Sequence, residues 1–411
     1  MPFEPFHRPC LDCFDMALAR GVFIVAAKRT PFGAFGGKLK NHTTTDLATI
    51  AAKAALASGK VDPNIVDSVV FGNVAPSAKD GAYLARHAGL KAGVPVEVPA
   101  LTVNRLCGSG FQAVVSGSQD IVVGDADIVL TGGAENMSMA PFVVRGVRFG
   151  TALGQNIEFE DQLWQTLTDM HIKTPMGITA ETLGAQCGIS REDCDQFAHR
   201  SQQRWAAANK AGYFQEEMAP IEVKSRKGPV TVDTDEHPRE TTVEGLGKLP
   251  AVFKKNGLVS AGNASGICDG AAAVILASES AVKKHNLTPL ARVVGYHISG
   301  CDPNIMGIGP VPAISKALEK NGLSLSDIDL VEVNEAFAAQ YLSVEKELGL
   351  DPEKTNVNGG AVALGHPVGA SGGRITAHLT HELRRRGAKY AVGSACIGGG
   401  QGIAVIIENI N

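Results

Sequence analysis

The chain has 411 residues, a net charge of −4, 44% hydrophobic and 19% charged residues. This balance excludes a disordered chain and gives no global attraction for nucleic acid. No apolar run approaches the ~20 residues of a membrane-crossing helix, and the length suits a soluble enzyme with roughly two or three domains or one large two-part core.

Residues 1–20 read as a disordered extension. Met1 to Asp15 sets Arg8 alone against Glu4, Asp12 and Asp15, whereas a transit peptide is Arg-rich and poor in acids. Met16 would serve as an alternative start, and removing the preceding residues should cost neither activity nor stability. Cys10 and Cys13 have CxxC spacing, a weak metal or redox signal without a second pair, and no metal site is expected. The eight cysteines are scattered, which points to a reducing compartment and not to a disulfide scaffold.

The structured chain then says the same thing twice. Val22 to Ala27 is an apolar run suited to a buried strand, Thr45 to Ser58 has helical spacing and is stopped by Gly59, and Val66 to Gly72 is a second strand. In the second half Arg292 onward is the strand, Val311 to Asn321 the helix stopped by Gly322, and Asp329 to Val333 the next strand. Thr102 to Asn104 leads into a Gly-rich turn, a helix from Gln112 to Val123 and a strand from Asp127. Asn356 to Asn358 leads into a Gly-rich turn, a helix from Ile375 to Arg386 and a strand from Tyr390. Gly270 to Leu276 resembles Gly402 to Ile407. Alternating strands and helices predict mainly parallel sheets covered by helices, in a duplicated α/β fold with a pseudo-twofold axis. The halves are placed at 21–285 and 286–411. The stretch 135–258 has no counterpart in the second half, carries Trp164, Trp205 and a helical run from Arg191 to Ala211, and reads as an insertion over the functional site.

Three reactive side chains sit among glycines: Cys107 in Asn104-Arg-Leu-Cys-Gly-Ser-Gly110, His366 in Gly365-His-Pro-Val-Gly369, and Cys396 in Cys396-Ile-Gly-Gly-Gly-Gln-Gly402. Two cysteines and one histidine in such turns predict thiol chemistry with close backbone approach. Cys107 lies just before a helix, whose N-terminus would favour its thiolate. Cys396 has no helix behind it and should stay near the ordinary thiol pKa of about 8.5. Cys187, Cys194, Cys268 and Cys301 read as small apolar residues. His378 and His381 read as surface residues, and Arg384 to Arg386 as a solvated helix end. Lys254-Lys255 and Arg226-Lys227 read as surface charge with a chance proximity to phosphate groups.

These motifs, with Asn334-Glu-Ala-Phe337, resemble the thiolase superfamily, and the resemblance runs from about Gly21 to Glu408. It implies a five-layer αβαβα core with an inserted loop domain, and coenzyme A-dependent cleavage of 3-ketoacyl-CoA through an acyl-cysteine. It implies Cys107 as the nucleophile, His366 as its activator and Cys396 as proton donor and acceptor. Asn334 would hold a water that forms one oxyanion hole with His366. The N–H groups of Cys107 and Gly398 would form another. Coenzyme A, a co-substrate and not a resident cofactor, would touch Arg239, Thr241 and Ser265. Water replacing coenzyme A at the acyl-enzyme would add an acyl-CoA hydrolase activity. The same resemblance implies a homotetramer in the mitochondrial matrix, with acyl-CoA and coenzyme A as partners and neither nucleic acid nor membrane among them. The C-terminus lacks a Ser-Lys-Leu peroxisomal signal.

Three other readings compete. A biosynthetic acetoacetyl-CoA enzyme would use the same residues for condensation, but members of that kind carry a histidine where this chain has Pro175 before Met176-Gly177. A decarboxylating ketoacyl synthase would need a second histidine or asparagine arrangement in place of Cys396. An inactive acyl-CoA-binding scaffold would not need both thiols and the imidazole.

Overall fold

The computed structural model describes residues 21–226 and 228–410. The expectations for residues 1–20, Cys10 and Cys13 included, and for Lys227 lie outside these. The main strands are β1 (Val22–Arg29), β2 (Ser68–Gly72), β3 (Ala100–Val103), β4 (Ile128–Asn136), β5 (Cys268–Ser278), β6 (Ala291–Gly300), β7 (Leu330–Val333), β8 (Tyr390–Ile397) and β9 (Gln401–Asn409). They hydrogen-bond in the order β7-β8-β9-β6-β1-β5-β4-β2-β3. The path is two copies of one sheet joined edge to edge, where Val22 to Ile24 pair with Ala291 to Val293.

The duplication extends to detail. In the first half the order is β3-β2-β4-β5-β1; in the second it is a parallel bridge at Thr355, then β7-β8-β9-β6. The register slips between Ile24 and Ala26 in β1 and between Val293 and Gly295 in β6, the same place in each copy. The sheets are mixed, not mainly parallel. β2–β3, β2–β4 and β7–β8 run parallel, while β1–β5, β4–β5, β1–β6, β6–β9 and β8–β9 run antiparallel. A crossover helix yields a parallel pair, but a tight turn yields a hairpin. β8 and β9 are joined by such a turn, with Gly399 and Gly400 at φ 78° and 81°.

The main helices are α1 (Thr44–Gly59), α2 (Ser109–Val123), α3 (Met176–Gln186), α4 (Arg191–Lys210), α5 (Pro310–Lys320), α6 (Ala338–Leu348) and α7 (Ser371–Arg386). The inner strands β4, β5, β8 and β9 are buried on both faces because both faces are covered. In β5, Ala273, Ile275 and Ala277 face one core with Ala48, Ala51 and Ala55 of α1. Val274 and Leu276 face another, with Phe111 and Val114 of α2 and Ile375, Leu379 and Leu383 of α7. In β9, Ile403, Val405 and Ile407 share that central core, while Ala404 and Ile406 face Ala313, Ile314 and Ala317 of α5. The layers are therefore α1, sheet, α2 with α7, sheet, α5. Each fully buried Ile or Leu stabilises this stack by about 1.5–3 kcal/mol.

One glycine assignment changes. Gly59 does not end α1; Lys60 takes the left-handed cap at φ 52°. Gly59 is needed because a side chain there would strike Ala26 of β1. The helices α2 and α7 also begin earlier than their apolar periodicity, at Ser109 and Ser371. Their first turns cross: a Cβ on Gly110 would come within 2.5 Å of the Gly373 nitrogen, and one on Gly372 would collide with the Phe111 backbone. Glycine inside these helices allows two N-termini to meet at the centre.

The segment between β4 and β5 carries α3, α4 and the hairpin Ile221–Ser225 with Gly228–Val232. Glu135 and Asn136 still belong to β4. Buried charges tie the segment to the core. Arg29 of β1 donates to Glu217 at 2.6 Å and to Asp235 at 2.6 and 3.0 Å. Trp205 donates to Asp235 at 3.1 Å. His378 of α7 is buried against Glu217 at 2.7 Å, and His381 reaches the Ala27 carbonyl at 2.9 Å. Neither histidine is the surface residue that periodicity predicts: the inserted segment covers His378 with Glu217, and His381 is half-buried against β1. Burial alone would push the Glu217 carboxyl up, but His378 and Arg29 outweigh it and hold it at about 2. Glu217 therefore adds stability above its unfolded range near 4.5, and this is lost as pH falls toward 2. Glu217→Gln should destabilise the protein by about 3–5 kcal/mol at neutral pH, read from the midpoint of chemical unfolding; an unchanged midpoint would refute it.

Candidate active site

Cys107 sits in the turn between β3 and α2, half-buried. Leu106 before it is left-handed at φ 45°, a conformation that costs a non-glycine residue about 1–3 kcal/mol. Side chains on either side offset that cost. Asn104 Oδ1 accepts from the Leu106 N–H at 2.9 Å, and its Nδ2 donates to the Val74 carbonyl at 3.1 Å. Ser109 Oγ accepts from the Arg105 N–H at 2.9 Å and donates to the Leu106 carbonyl at 2.7 Å. Leu106 and Cys107 then pack on Val74, Met137, Leu163 and Val368.

His366 comes from the other half, just before α7, and is buried. Its Nδ1 lies 2.5 Å from Ser371 Oγ, whose own proton goes to the Pro367 carbonyl at 3.2 Å. Nδ1 is therefore the donor nitrogen and Nε2 keeps its lone pair. Asn334, directly after β7, donates Nδ2–H to that Nε2 at 3.3 Å. Its Oδ1 is buried without a hydrogen-bond partner among the described residues. Burial first and the Arg374 charge second hold the imidazole down at about 4, so it is neutral.

Cys396 is the penultimate residue of β8 and pairs with Gly402 of β9, so it lies on a strand and not in the turn. It is fully buried beside Met306 and Ala336. Burial pushes its thiol well above the ordinary range, and the Cys107 and Cys301 thiols add to this. The Gly398 N–H donates toward the Cys107 sulfur.

The electrostatics differ from the helix-dipole expectation. Burial lifts the Cys107 thiol to about 11, although the Gly398 N–H and its own N–H oppose the rise and the Glu135 charge adds to it. The dipole field of α2 is a surface-strength effect, and loss of water outweighs it here. At rest the pair is a thiol and a neutral imidazole, and both cysteines are protonated.

Cys107 and His366 open onto a cavity of about 180 Å³, with Cys396 behind its Met306 and Ala336 walls and Asn334 behind His366. Cys107, His366 and Ser265 line it, with walls of Met137, Trp164, Leu167, Met176, Phe253, Phe337 and Val368. Trp164 and Phe253 stack with centroids 6.5 Å apart, and Phe253 meets Phe337 edge-on at 6.4 Å. The geometry thus brings together Cys107, His366, Asn334, Cys396, Gly398 and Ser265. It does not bring Arg239 and Thr241 to that cavity; they line a separate depression with His199, Gln202 and Trp205. The link is His237, whose ring lies against Gly266 and whose Nε2 is 3.4 Å from Arg239 Nη2. Cys194 and Cys268 are buried as expected, while Cys187 and Cys301 are half-buried. Ser371 is missing from the sequence reading, although the repeat contains the signal: Ser109 and Ser371 open equivalent helices. The apolar walls carried no local signal, since they come from distant segments.

The thiolase N-terminal domain family matches residues 22–280, and the thiolase C-terminal domain family matches residues 287–409. The mitochondrial 3-ketoacyl-CoA thiolase of Bos taurus is 69% identical over 395 residues, covering 96% of this chain and 100% of the relative. The crystal structure of human mitochondrial 3-ketoacyl-CoA thiolase superposes with a TM-score of 0.95 at 69% identity, covering 96% of this chain and 100% of that one. The same human enzyme in complex with CoA gives 0.94 at 68% identity, with 96% and 99% covered.

Proposed function

Because the chain belongs to the thiolase family, we propose that it cleaves 3-ketoacyl-CoA with coenzyme A, giving acetyl-CoA and an acyl-CoA shortened by two carbons, as in fatty acid β-oxidation. One observation carries the reading: the Cys107 thiol and a neutral imidazole line an apolar cavity, the Cys396 thiol is buried behind its Met306 and Ala336 wall, and the Gly398 N–H is aimed at the Cys107 sulfur.

The reaction runs in two halves. As the Cys107 sulfur adds to the keto carbon, its proton passes to His366 Nε2. The oxyanion is held by His366 and a water on Asn334, whose Oδ1 has no partner among the described residues. The C2–C3 bond then breaks. The departing thioester enolate takes a proton from Cys396 and leaves as acetyl-CoA, with the acyl group on Cys107. Coenzyme A enters, the Cys396 thiolate takes its proton, and its sulfur attacks the acyl carbonyl. The N–H groups of Cys107 and Gly398 hold the second oxyanion. Collapse returns the proton from His366 to Cys107, so no net proton is gained or lost. The reverse path is a Claisen condensation.

Ser265 at the cavity wall and Arg239 with Thr241 in the adjoining depression would contact coenzyme A in turn. Hydrolysis of the acyl-enzyme by water is a slower side path. No helix among the described residues is long and apolar enough to cross a membrane, and the relatives are named mitochondrial, which supports a site in the mitochondrial matrix. A homotetramer is supported by two uncovered surfaces: the edge strand β3 with Leu101 exposed, and the exposed Phe142, Phe149, Leu153 and Phe159. Sedimentation mass tests it.

Steady-state kinetics across 3-ketoacyl-CoA chain lengths, in both directions, test the reading; absence of turnover on every length would sink it. A pH profile adds a sharper check. His366 must be neutral to accept the proton and is held at about 4. The limb of kcat/KM set by His366 should therefore lie near that value, not near the ~6.5 of an ordinary histidine, and a limb near 7 would belong to the buried Glu135 carboxyl. A limb at 6.5 assigned to His366 would contradict the burial argument.

A further inference from the structure

Glu135 is a fully buried carboxylate that the reaction above does not use. Among the described residues no cation pairs with it. Instead it takes four hydrogen bonds. Oε1 accepts from Asn73 Nδ2 at 2.9 Å and from the Ala75 N–H at 3.0 Å; Oε2 accepts from the Val74 N–H at 3.0 Å and from the Gly369 N–H at 2.9 Å. Asn73, Val74 and Ala75 belong to the loop after β2, which braces the Cys107 turn, and Gly369 belongs to the histidine loop. Val74 receives Asn104, which in turn holds Leu106 and the Cys107 turn. Gly369 lies three residues beyond His366 in the second half of the repeat. Burying an ionisable group without a countercharge is costly, and a neutral side chain could not accept four donors at once.

We propose that Glu135 is a positioning residue that holds the nucleophile turn and the histidine loop in register. Its charge also adds to the lift that burial gives the Cys107 thiol. The proposal rests on the roles given above to Cys107 and His366. Burial pushes the Glu135 carboxyl up to about 7. It is therefore ionised over the range in which Cys107, lifted to about 11, titrates. The ionisable groups that feel its charge are Cys107 and Cys268. A group that only stabilised the fold would lower thiol reactivity and turnover together when removed. Glu135 predicts that they part.

In Glu135→Gln the charge is gone and the loops shift. Iodoacetamide alkylation of Cys107 at fixed pH should rise about threefold or more, with its pH midpoint lowered. Thiolysis of acetoacetyl-CoA should fall about 100-fold in kcat, the scale of a 1 Å misplacement, with KM for coenzyme A nearly unchanged. In Asn73→Ala the charge stays and one tie is lost, so kcat should fall about tenfold while the alkylation midpoint stays put. Thiolysis within threefold of wild type in Glu135→Gln, or an alkylation midpoint unmoved or raised, overturns the proposal. If Glu135→Gln does not fold, Asn73→Ala decides, and kcat within twofold of wild type overturns it. Acyl trapping on wild-type Cys107 is run alongside; its failure would indict the assigned roles and not the clamp.

Discussion

Cys107→Ser should lose thiolysis by about four orders of magnitude while coenzyme A still binds. The Cys107 thiol is already hard to ionise, at about 11, and the imidazole that accepts its proton is weakly basic, at about 4. The thiol proton must therefore leave in concert with attack on the keto carbon, and polarisable sulfur tolerates that demand. A serine hydroxyl is a far weaker acid and holds its proton through the same approach. The cavity walls and Ser265 are untouched by the change, so calorimetric affinity for coenzyme A should stay within a few-fold. Near-normal turnover in this variant would remove Cys107 from the role of nucleophile.

Cys396→Ala should separate the two thiols. It should still accept an acyl group onto Cys107 from an acyl-CoA, because that transfer needs only Cys107, His366 and the Gly398 N–H. Carbon–carbon cleavage and condensation should fall by about three orders of magnitude or more, since no group remains to protonate or form the enolate. The assignment follows from position. Cys396 is fully buried at the end of β8, and burial raises its thiol well above the ordinary range. A weak acid that neither stays charged nor reaches solvent suits proton exchange with a bound enolate. Mass spectrometry of the trapped acyl-enzyme beside a thiolysis assay decides. An acyl group on Cys396 in the wild type, or none on Cys107 in the variant, would reverse the roles.

Much of this was legible before any coordinates. The repeat could be read because each copy must bury the same faces: Val274 and Val405 serve the same core and recur at matching places. The reactive residues could be read because each sits in glycine, and glycine is retained where backbones must nearly touch, as Gly110 and Gly372 do. The mixed sheet was not legible, because strand direction depends on whether a connection crosses over or turns back. The burial of His378 was not, because its partner Glu217 comes from the inserted segment.

The amino-acid sequence by itself determined the duplicated α/β architecture, the identity of the two thiols and the imidazole, and their setting in turns of close backbone approach. These are local properties, carried by periodicity and by residue type. The tertiary structure alone decided protonation and alignment. It set Cys107 high and His366 low by removing water from both, chose the Nδ1–H tautomer through Ser371, and built the apolar walls from segments far apart in the chain. It also placed Glu135 between the histidine loop and the loop that braces the Cys107 turn. Desolvation and hydrogen-bond partnership are properties of what surrounds a residue in space, and no window of sequence contains them.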